Sequence, residues 1–143
     1  MFEIIKINNK NKELISIFLS KAGEALKTFR YYEKRNLDIL SNHIITCVMM
    51  QNNEVPVGYG HLDKEGKDIW LGIAVSENLI GKGLGKVIIN YLIDFAIKEQ
   101  VSIVKLSVDI NNQQAIRLYE KVGFKIDSMC NEKAFIMKKI INA

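Results

Sequence analysis

Hydrophobic and polar positions along the chain follow two periods, and each period marks one type of secondary structure. Alternating or continuous runs rich in β-branched residues predict seven strands, at 2–7, 43–51, 55–62, 68–75, 103–109, about 125–129 and 133–140. Helical spacing is clearest at 83–100 and 113–122, and residues 11–26 and 28–40 also have helical character. The predicted order of elements is therefore β-α-α-β-β-β-α-β-α-β-β.

The middle of this order predicts an antiparallel meander, followed by a right-handed β-α-β crossover. The chain has no internal repeat, no low-complexity tract and no linker rich in Pro, Gly or Ser. With 143 residues it is long enough to bury a core without disulfides. We therefore expect one domain over residues 1–143.

Single residues predict several turns and caps. Asn52-Asn53 and residues 63–66 are turn signals between strands. Gly123 and Phe124 follow the last helix in the positions of a Schellman cap, and Asn111 or Asn112 could cap its N-terminus. Gly72 lies inside a strand, which indicates a bulge or the close approach of a ligand.

Composition narrows the class of protein. A hydrophobic fraction of 48% and a charged fraction of 25% are ordinary for a soluble globular chain. The net charge of +4 comes from scattered lysines without a dense basic stripe, so we expect no nucleic-acid partner. No apolar run reaches the ~18 residues of a membrane span, and no signal peptide is evident. We therefore expect a cytoplasmic protein, without a membrane partner.

The most informative segment joins the end of a predicted strand to the clearest helix, and it reads Val75-Ser-Glu-Asn-Leu-Ile-Gly-Lys-Gly-Leu-Gly85. Glycines let the backbone approach a ligand, and the N–H groups of a helix N-terminus attract anions such as a pyrophosphate. The spacing is neither GxGxxG nor a Walker loop. A glycine-rich turn without a ligand remains the alternative for this segment taken alone.

A second segment reads Asn112-Gln-Gln-Ala-Ile-Arg-Leu-Tyr-Glu-Lys-Val-Gly-Phe124. Its asparagine and its Gly-Phe pair could be no more than caps, and Tyr119 could be an ordinary core aromatic. Together, however, the two segments resemble the GNAT (GCN5-related) N-acetyltransferase superfamily. Val75–Gly85 is similar to its [RQ]-x-x-G-x-[GA] loop, and Asn112–Phe124 to its N-x-x-A-x-x-x-Y-x-x-x-G-F helix. Ile80 departs from the family's Arg or Gln, which predicts weakened or rearranged cofactor binding.

The resemblance implies a mixed, mostly antiparallel sheet with helices on both faces. It also implies acetyl-CoA as co-substrate, bound where the fourth and fifth strands separate, and no metal. Gly72 would form the family's bulge near the thioester. The residues that the resemblance places against acetyl-CoA are Ile73, Val75, Lys82, Gly83, Gly85, Lys86, Asn112 and Tyr119.

Catalysis in this family needs a neutral amine and a proton for the leaving thiolate. Tyr119 matches the family's general acid, and a phenol pKa of about 10 suits that role. The fourth strand carries no carboxylate that could act as base. His61 is our candidate for the general base, since an imidazole titrates near neutral pH. Glu77, His43, a chain of waters, or a purely structural His61 are the alternatives.

The acceptor is the least defined part of the prediction. Family members take acceptor contacts from the first two helices, where this chain has Arg30, Tyr31, Tyr32 and Arg35. Arginine forks hold phosphates and tyrosine rings cover sugars or bases. We therefore expect a primary amine of a small molecule, and an amino sugar linked to a nucleotide is one candidate. A protein or peptide N-acetyltransferase, a non-catalytic acyl-CoA-binding domain and a homodimer are left open.

Overall fold

The computed structural model describes residues 1–21, 40 and 42–141. Its strands are β1 (Phe2–Lys6), β2 (His43–Gln51), β3 (Val55–Glu65), β4 (Asp68–Val75), β5 (Ile103–Asp109), β6 (Lys125–Asn131) and β7 (Ala134–Ile140). Its helices are α1 (Glu13–Lys21), α2 (Leu84–Lys98) and α3 (Gln113–Lys121), and a short 3₁₀ helix spans Glu77–Leu79. The predicted helix at 28–40 falls almost entirely outside the described residues.

The seven strands form one mixed sheet in the order β1-β2-β3-β4-β5-β7-β6. Every neighbouring pair is antiparallel except β4 and β5, which run parallel. Only two residue pairs form the ladder between β4 and β5, Ile69 with Val104 and Trp70 with Lys105. Beyond them the two strands separate, so the sheet opens in its middle. The predicted fold class, a mostly antiparallel mixed sheet, is confirmed.

Helices lie on both faces of the sheet, as predicted, because its side chains alternate between two cores. On one face Tyr59 and Ala74 pack with Ile15 and Phe18 of α1. On the other face Leu62 and Leu71 join a larger cluster with the buried side of α2 and α3. The amphipathic spacing of these helices predicted which side of each would be buried.

The C-terminus of α3 has the Schellman cap that the sequence predicts. The N–H of Phe124 donates to the carbonyl of Tyr119 at 3.0 Å, and the N–H of Gly123 donates to that of Glu120 at 3.1 Å. Gly123 has a φ of 102°, and the rings of Tyr119 and Phe124 lie 6.1 Å apart. At the other end, the side chain of Asn112 accepts from the N–H of Ala115 at 3.2 Å. The caps therefore fix both ends of the helix that carries Tyr119.

Two predicted turns have different outcomes. Asn52 and Asn53 both have positive φ, 55° and 59°, and form the turn between β2 and β3. The second turn is shorter than predicted, since β3 continues to Glu65 and only Gly66 and Lys67 connect it to β4. The polar residues 63–65 extend the strand because each pairs across the hairpin with β4.

The expected bulge at Gly72 is wrong for the pairing of β3 with β4. The register runs without a shift from Gly58–Val75 to Glu65–Asp68, and Gly72 pairs with His61. A Cβ at Gly72 would lie 2.6 Å from both Cε1 and Nε2 of His61. The glycine therefore makes room for the imidazole of its cross-strand neighbour.

Candidate active site

A cavity of about 640 Å³ lies at the opening between β4 and β5. The loop before α2 and the inner side of α3 complete its walls. Seven of the eight residues expected to contact acetyl-CoA line it: Ile73, Val75, Gly83, Gly85, Lys86, Asn112 and Tyr119. Lys82 is exposed and is not among the lining residues. The structure thus brings together residues that lie up to 46 positions apart, since Ile73 and Tyr119 share one cavity.

The N-terminus of α2 opens onto this cavity. Gly83 is the N-cap residue, with a φ of 82°, and Gly81 also has a positive φ of 88°. The first N–H groups of a helix have no acceptor within it, and they lie at the positive end of the helix dipole. Gly85 and the cationic Lys86 belong to this first turn and line the cavity. The segment is therefore built to hold an anion.

Ile80 occupies the position where the family has Arg or Gln. Its side chain is 48% exposed and lines the same cavity. An isoleucine can give an anion no hydrogen bond, so the backbone of the loop is left to do this. The consequence for affinity stays a prediction.

Tyr119 lines the cavity from α3, and only 8% of it is exposed. Burial raises the pKa of its phenol well above the ordinary value of 10.0. The phenol therefore keeps its proton throughout the neutral range and is available as a hydrogen-bond donor. The cap of α3 restrains this side chain, because its neighbour Phe124 is buried against it.

Several lining residues were not predicted. Ser107 and Asp109 lie on β5, and Gln114, Arg117 and Lys121 lie along one side of α3. The helical spacing 114, 117, 121 is visible in the sequence, but it is equally typical of a solvated polar face. Only the packing of α3 beside the open part of the sheet shows that this face borders a cavity.

His61 lies on the α1 face of β3, next to the cavity but not in its lining. It is 2% exposed, and its Nδ1 is 2.7 Å from the hydroxyl of Tyr59. Its ring lies over Gly72, which does line the cavity. His43 stacks on the other side at 4.5 Å between ring centroids, with its own Nδ1 2.7 Å from Oγ1 of Thr46. The second candidate base thus neighbours the first.

The remaining predicted residues are located as follows. Arg30, Tyr31, Tyr32 and Arg35 lie outside the described residues. Glu77 begins the 3₁₀ helix after β4 and is exposed. Among the described residues, no group of three or more His, Cys, Asp or Glu side chains is arranged to hold a metal ion. In that same part of the chain no helix combines the length and apolarity that crossing a membrane requires.

A family model described as the acetyltransferase (GNAT) family matches residues 11–124. Because this match covers well over half of the chain, the protein belongs to the GNAT acetyltransferases, for which acetyl-CoA is the co-substrate. No curated protein matches the sequence.

Solved structures agree with this assignment at the level of the fold. The ribosomal-protein-S18-alanine N-acetyltransferase of Escherichia coli is 20% identical, with a TM-score of 0.74 over 100% of this chain and 96% of that one. YncA from Salmonella typhimurium, solved with acetyl-CoA, is 18% identical, with a TM-score of 0.74 over 99% and 94%. The PaiA N-acetyltransferase from Thermoplasma acidophilum, solved with coenzyme A, is 16% identical, with a TM-score of 0.74 over 98% and 99%.

Proposed function

We propose that this protein transfers the acetyl group of acetyl-CoA to the primary amine of a small molecule. The observation that carries the proposal is a single cavity that is lined by the N-terminus of α2, by the open edge of β4 and by the phenol of Tyr119. An anion site, an unsatisfied strand edge and a proton donor are what the pyrophosphate, the amide-containing arm and the thioester of acetyl-CoA require.

The cations around the cavity fit an anionic donor. Lys86 belongs to the first turn of α2, and Arg117 and Lys121 lie one turn apart on α3. Fixed positive charges near a low-dielectric wall raise the local concentration of an anionic ligand. We assign Lys86 to the pyrophosphate, together with the N–H groups of residues 82–86, and the two α3 cations to other phosphate oxygens of the donor.

The chemistry needs one proton acceptor and one proton donor. His61 first takes one proton from the ammonium group of the acceptor, directly or through water, which leaves a neutral amine. The amine nitrogen then forms a bond to the acetyl carbon, the carbon–sulfur bond breaks, and the thiolate takes the hydroxyl proton of Tyr119. The second proton lost by the nitrogen restores the hydroxyl of Tyr119 through water. The imidazole lies beside Gly72, and Gly72 lines the cavity. A water chain without a single base is the alternative.

For the acceptor we propose an amino sugar, in the form of its nucleoside diphosphate derivative. The net charge of +4 suits a phosphorylated acceptor better than a polycation. The residues that we assign to its recognition, Arg30, Tyr31, Tyr32 and Arg35, are known here from the sequence alone. An arginine fork binds phosphate oxygens in pairs, and a tyrosine ring covers a sugar face.

A panel of amines tests this function. The purified protein is incubated with acetyl-CoA and amino sugars, their nucleotide derivatives, polyamines or peptides, and the release of free thiol is followed. The Tyr119→Phe variant and the reaction without amine are the controls. We expect thiol release with a nucleotide-linked amino sugar, and reduced turnover when the diphosphate is removed. Turnover restricted to peptide N-termini would indicate a protein N-acetyltransferase. Donor binding without turnover of any amine would indicate a non-catalytic acyl-CoA-binding domain.

A further inference from the structure

Asp109 is the last residue of β5 and lines the large cavity between β4 and β5. Successive side chains of a strand point to opposite faces of the sheet. Leu106 and Val108 belong to the core that the sheet forms with α2 and α3. Ser107 and Asp109 are exposed and therefore lie on the opposite, α1 face. The lining of the cavity thus includes residues of β5 whose side chains lie on the α1 face.

The charged residues of this lining differ in sign between the two sides of the cavity. Lys86, Arg117 and Lys121 belong to α2 and α3, and they are the cations that we assign to the donor. Asp109 is the one carboxylate among the described lining residues. A carboxylate repels an anionic donor and attracts a cation, so its position is explained by a second, cationic ligand. The ammonium group of the acceptor is the cation that the proposed reaction supplies.

The backbone of Asp109 is held in place while its side chain remains available. Its carbonyl accepts a hydrogen bond from the N–H of Asn112 at 3.0 Å, in the turn that leads to α3. Within the described residues, its carboxylate takes part in no hydrogen bond or ion pair. A ligand can therefore bind this carboxylate without breaking an interaction inside that part of the chain.

A smaller cavity of about 350 Å³ adjoins Asp109 on the side of the turn between β6 and β7. Its described lining residues are Asp109, Ile110, Asn111 and Lys133, so Asp109 borders both cavities. The N–H of Ile110 donates to the carbonyl of Lys133 at 2.9 Å. The N–H of Lys133 donates in turn to Oδ1 of Asn131 at 2.8 Å. These hydrogen bonds join the two turns, so the small cavity has a fixed frame.

We propose that Asp109 is a specificity-determining residue that binds the ammonium group of the acceptor. The small cavity holds the part of the acceptor next to this group, and Lys133 binds a phosphate of the acceptor. Such a site selects amines that also carry an anion, because Lys133 repels a polycation such as a polyamine. The inference rests on the proposed transfer to a primary amine, but not on the identity of the base. Asp109 contributes binding and takes no proton in this role.

A matched pair of ligands tests the role of Asp109. UDP-glucosamine differs from UDP-glucose by an amine in place of one hydroxyl. Calorimetry measures both Kd values on the full-length protein saturated with coenzyme A, which prevents turnover. We expect Asp109→Asn to weaken UDP-glucosamine binding by about tenfold or more, since a charge-assisted hydrogen bond is lost. UDP-glucose binding should stay within about twofold of wild type, because the hydroxyl carries no charge.

Three further variants serve as controls. Asp94→Asn changes the net charge equally at an exposed position of α2 outside the cavity lining, and it should alter neither Kd. Asp109→Glu retains the charge and should retain the preference for the amine. Lys133→Gln should weaken both ligands by a similar factor, because both carry the same diphosphate. Equal affinity changes for the two ligands in Asp109→Asn, or no change, overturn the role of Asp109.

Turnover separates this inference from the proposed function. With the amines that the acceptor panel shows to be substrates, Asp109→Asn should raise KM by about tenfold and leave kcat within about threefold. An active enzyme whose KM does not depend on Asp109 overturns the inference and leaves the proposed function intact. If neither UDP-sugar binds but another amine is acetylated, this KM comparison alone decides. If no amine is acetylated, the proposed function fails and the inference fails with it.

Discussion

Tyr119 shows how one side chain takes its properties from the backbone around it. The Schellman cap places two hydrogen bonds on its carbonyl, from Val122 and Phe124, immediately beside the cavity. The packing of Phe124 against the ring restrains it in the lining of the cavity. Because burial raises the pKa of this phenol, it stays protonated in the neutral range, as the proposed general acid must be.

Tyr119→Phe keeps the ring and removes only this donor. We expect kcat to fall by about 10² to 10⁴-fold, since a positioned general acid contributes that much. Acetyl-CoA affinity, measured by calorimetry, should change little. A decrease below about threefold, with the chemical step shown to limit the rate, would mean that the tyrosine is structural.

Gly72→Ala places a methyl group where the imidazole of His61 lies. The two cannot coexist at 2.6 Å, so the ring must shift by a substantial fraction of an ångström or more. Displacements of about 1 Å cost catalysis up to ~10²-fold, and we expect a loss of this order in kcat/KM for the acceptor. The added methyl group points away from α2 and α3, so acetyl-CoA affinity should remain close to wild type.

The matched control is the same substitution in a His61→Gln background. If the effect of Gly72→Ala comes through His61, the two changes will be strongly non-additive. Additive losses would instead point to a general disturbance of β4, and a lower Tm of the single variant would support that interpretation.

The sequence could predict some of these residues and not others. Tyr119 and the glycines belong to motifs that are contiguous in the chain. The pairing of Gly72 with His61 depends on the register of two strands, which no local pattern specifies. Tyr59 and His61 were visibly on one face, but their hydrogen bond depends on the rotamers that the packing of α1 selects. A strand glycine was open to two interpretations, and the register excludes the bulge.

At the scale of secondary-structure elements, the backbone conformation of Gly83 determines where α2 begins. Gly83, at a φ of 82°, is the N-cap residue, and Leu84, Gly85 and Lys86 of the following turn line the cavity. Most strand and helix bounds agree with the hydrophobic periods to within two residues, because those periods follow directly from the geometry of each element. The end of β3 extends beyond the prediction, since its last residues are polar but continue the pairing with β4.

Gly83→Val tests the anion site on α2. A β-branched residue is strained at positive φ, so we expect the first turn of α2 to rearrange. Its N–H groups would then no longer be oriented toward a bound anion. We expect the Kd for acetyl-CoA to rise by at least about tenfold, which corresponds to ~1.4 kcal/mol.

Gly66→Val is the matched control for that variant. Gly66 also has positive φ, 61°, and within the described part of the chain no group lies within 4 Å of where a Cβ on either glycine would be. It lies in the β3–β4 hairpin turn, away from the cavity lining. Both variants should lose similar stability, but only Gly83→Val should weaken binding. Equal affinity in the two folded variants would falsify the assignment of the α2 site.

At the scale of the whole molecule, buried ionisable side chains lower the free energy of unfolding at high pH, because burial favours their neutral form. Burial raises the pKa of the Cys47 thiol from 9.0 to about 12, and it raises that of Tyr119 as well. A raised pKa means that the folded state holds the proton more tightly than the unfolded state. The stabilisation is complete below the unfolded pKa and is lost as pH rises toward the folded value.

We therefore expect the free energy of unfolding to fall between about pH 9 and 12, by up to about 1.4 kcal/mol per pH unit for each such group. Urea titrations at several pH values measure this slope. Cys47→Ala should make it shallower in this range without changing the sign. An identical slope in the variant would show that Cys47 has no part in it. The same urea titrations also test the prediction of one domain over residues 1–143. A single domain is expected to unfold in a single cooperative transition.

The separation of β4 from β5 also bears on how the molecule unfolds. Two residue pairs are the whole hydrogen-bonded junction between the half-sheet β1-β2-β3-β4 and the half-sheet β5-β7-β6. Below the single global transition, such a junction favours a partial opening in which one half-sheet exchanges at a lower free energy than the other. Amide hydrogen exchange without ligand should therefore show two levels of protection, one for each half-sheet. A ligand that contacts both half-sheets couples their opening, and with saturating acetyl-CoA the slow amides of both halves should exchange with one common free energy of opening.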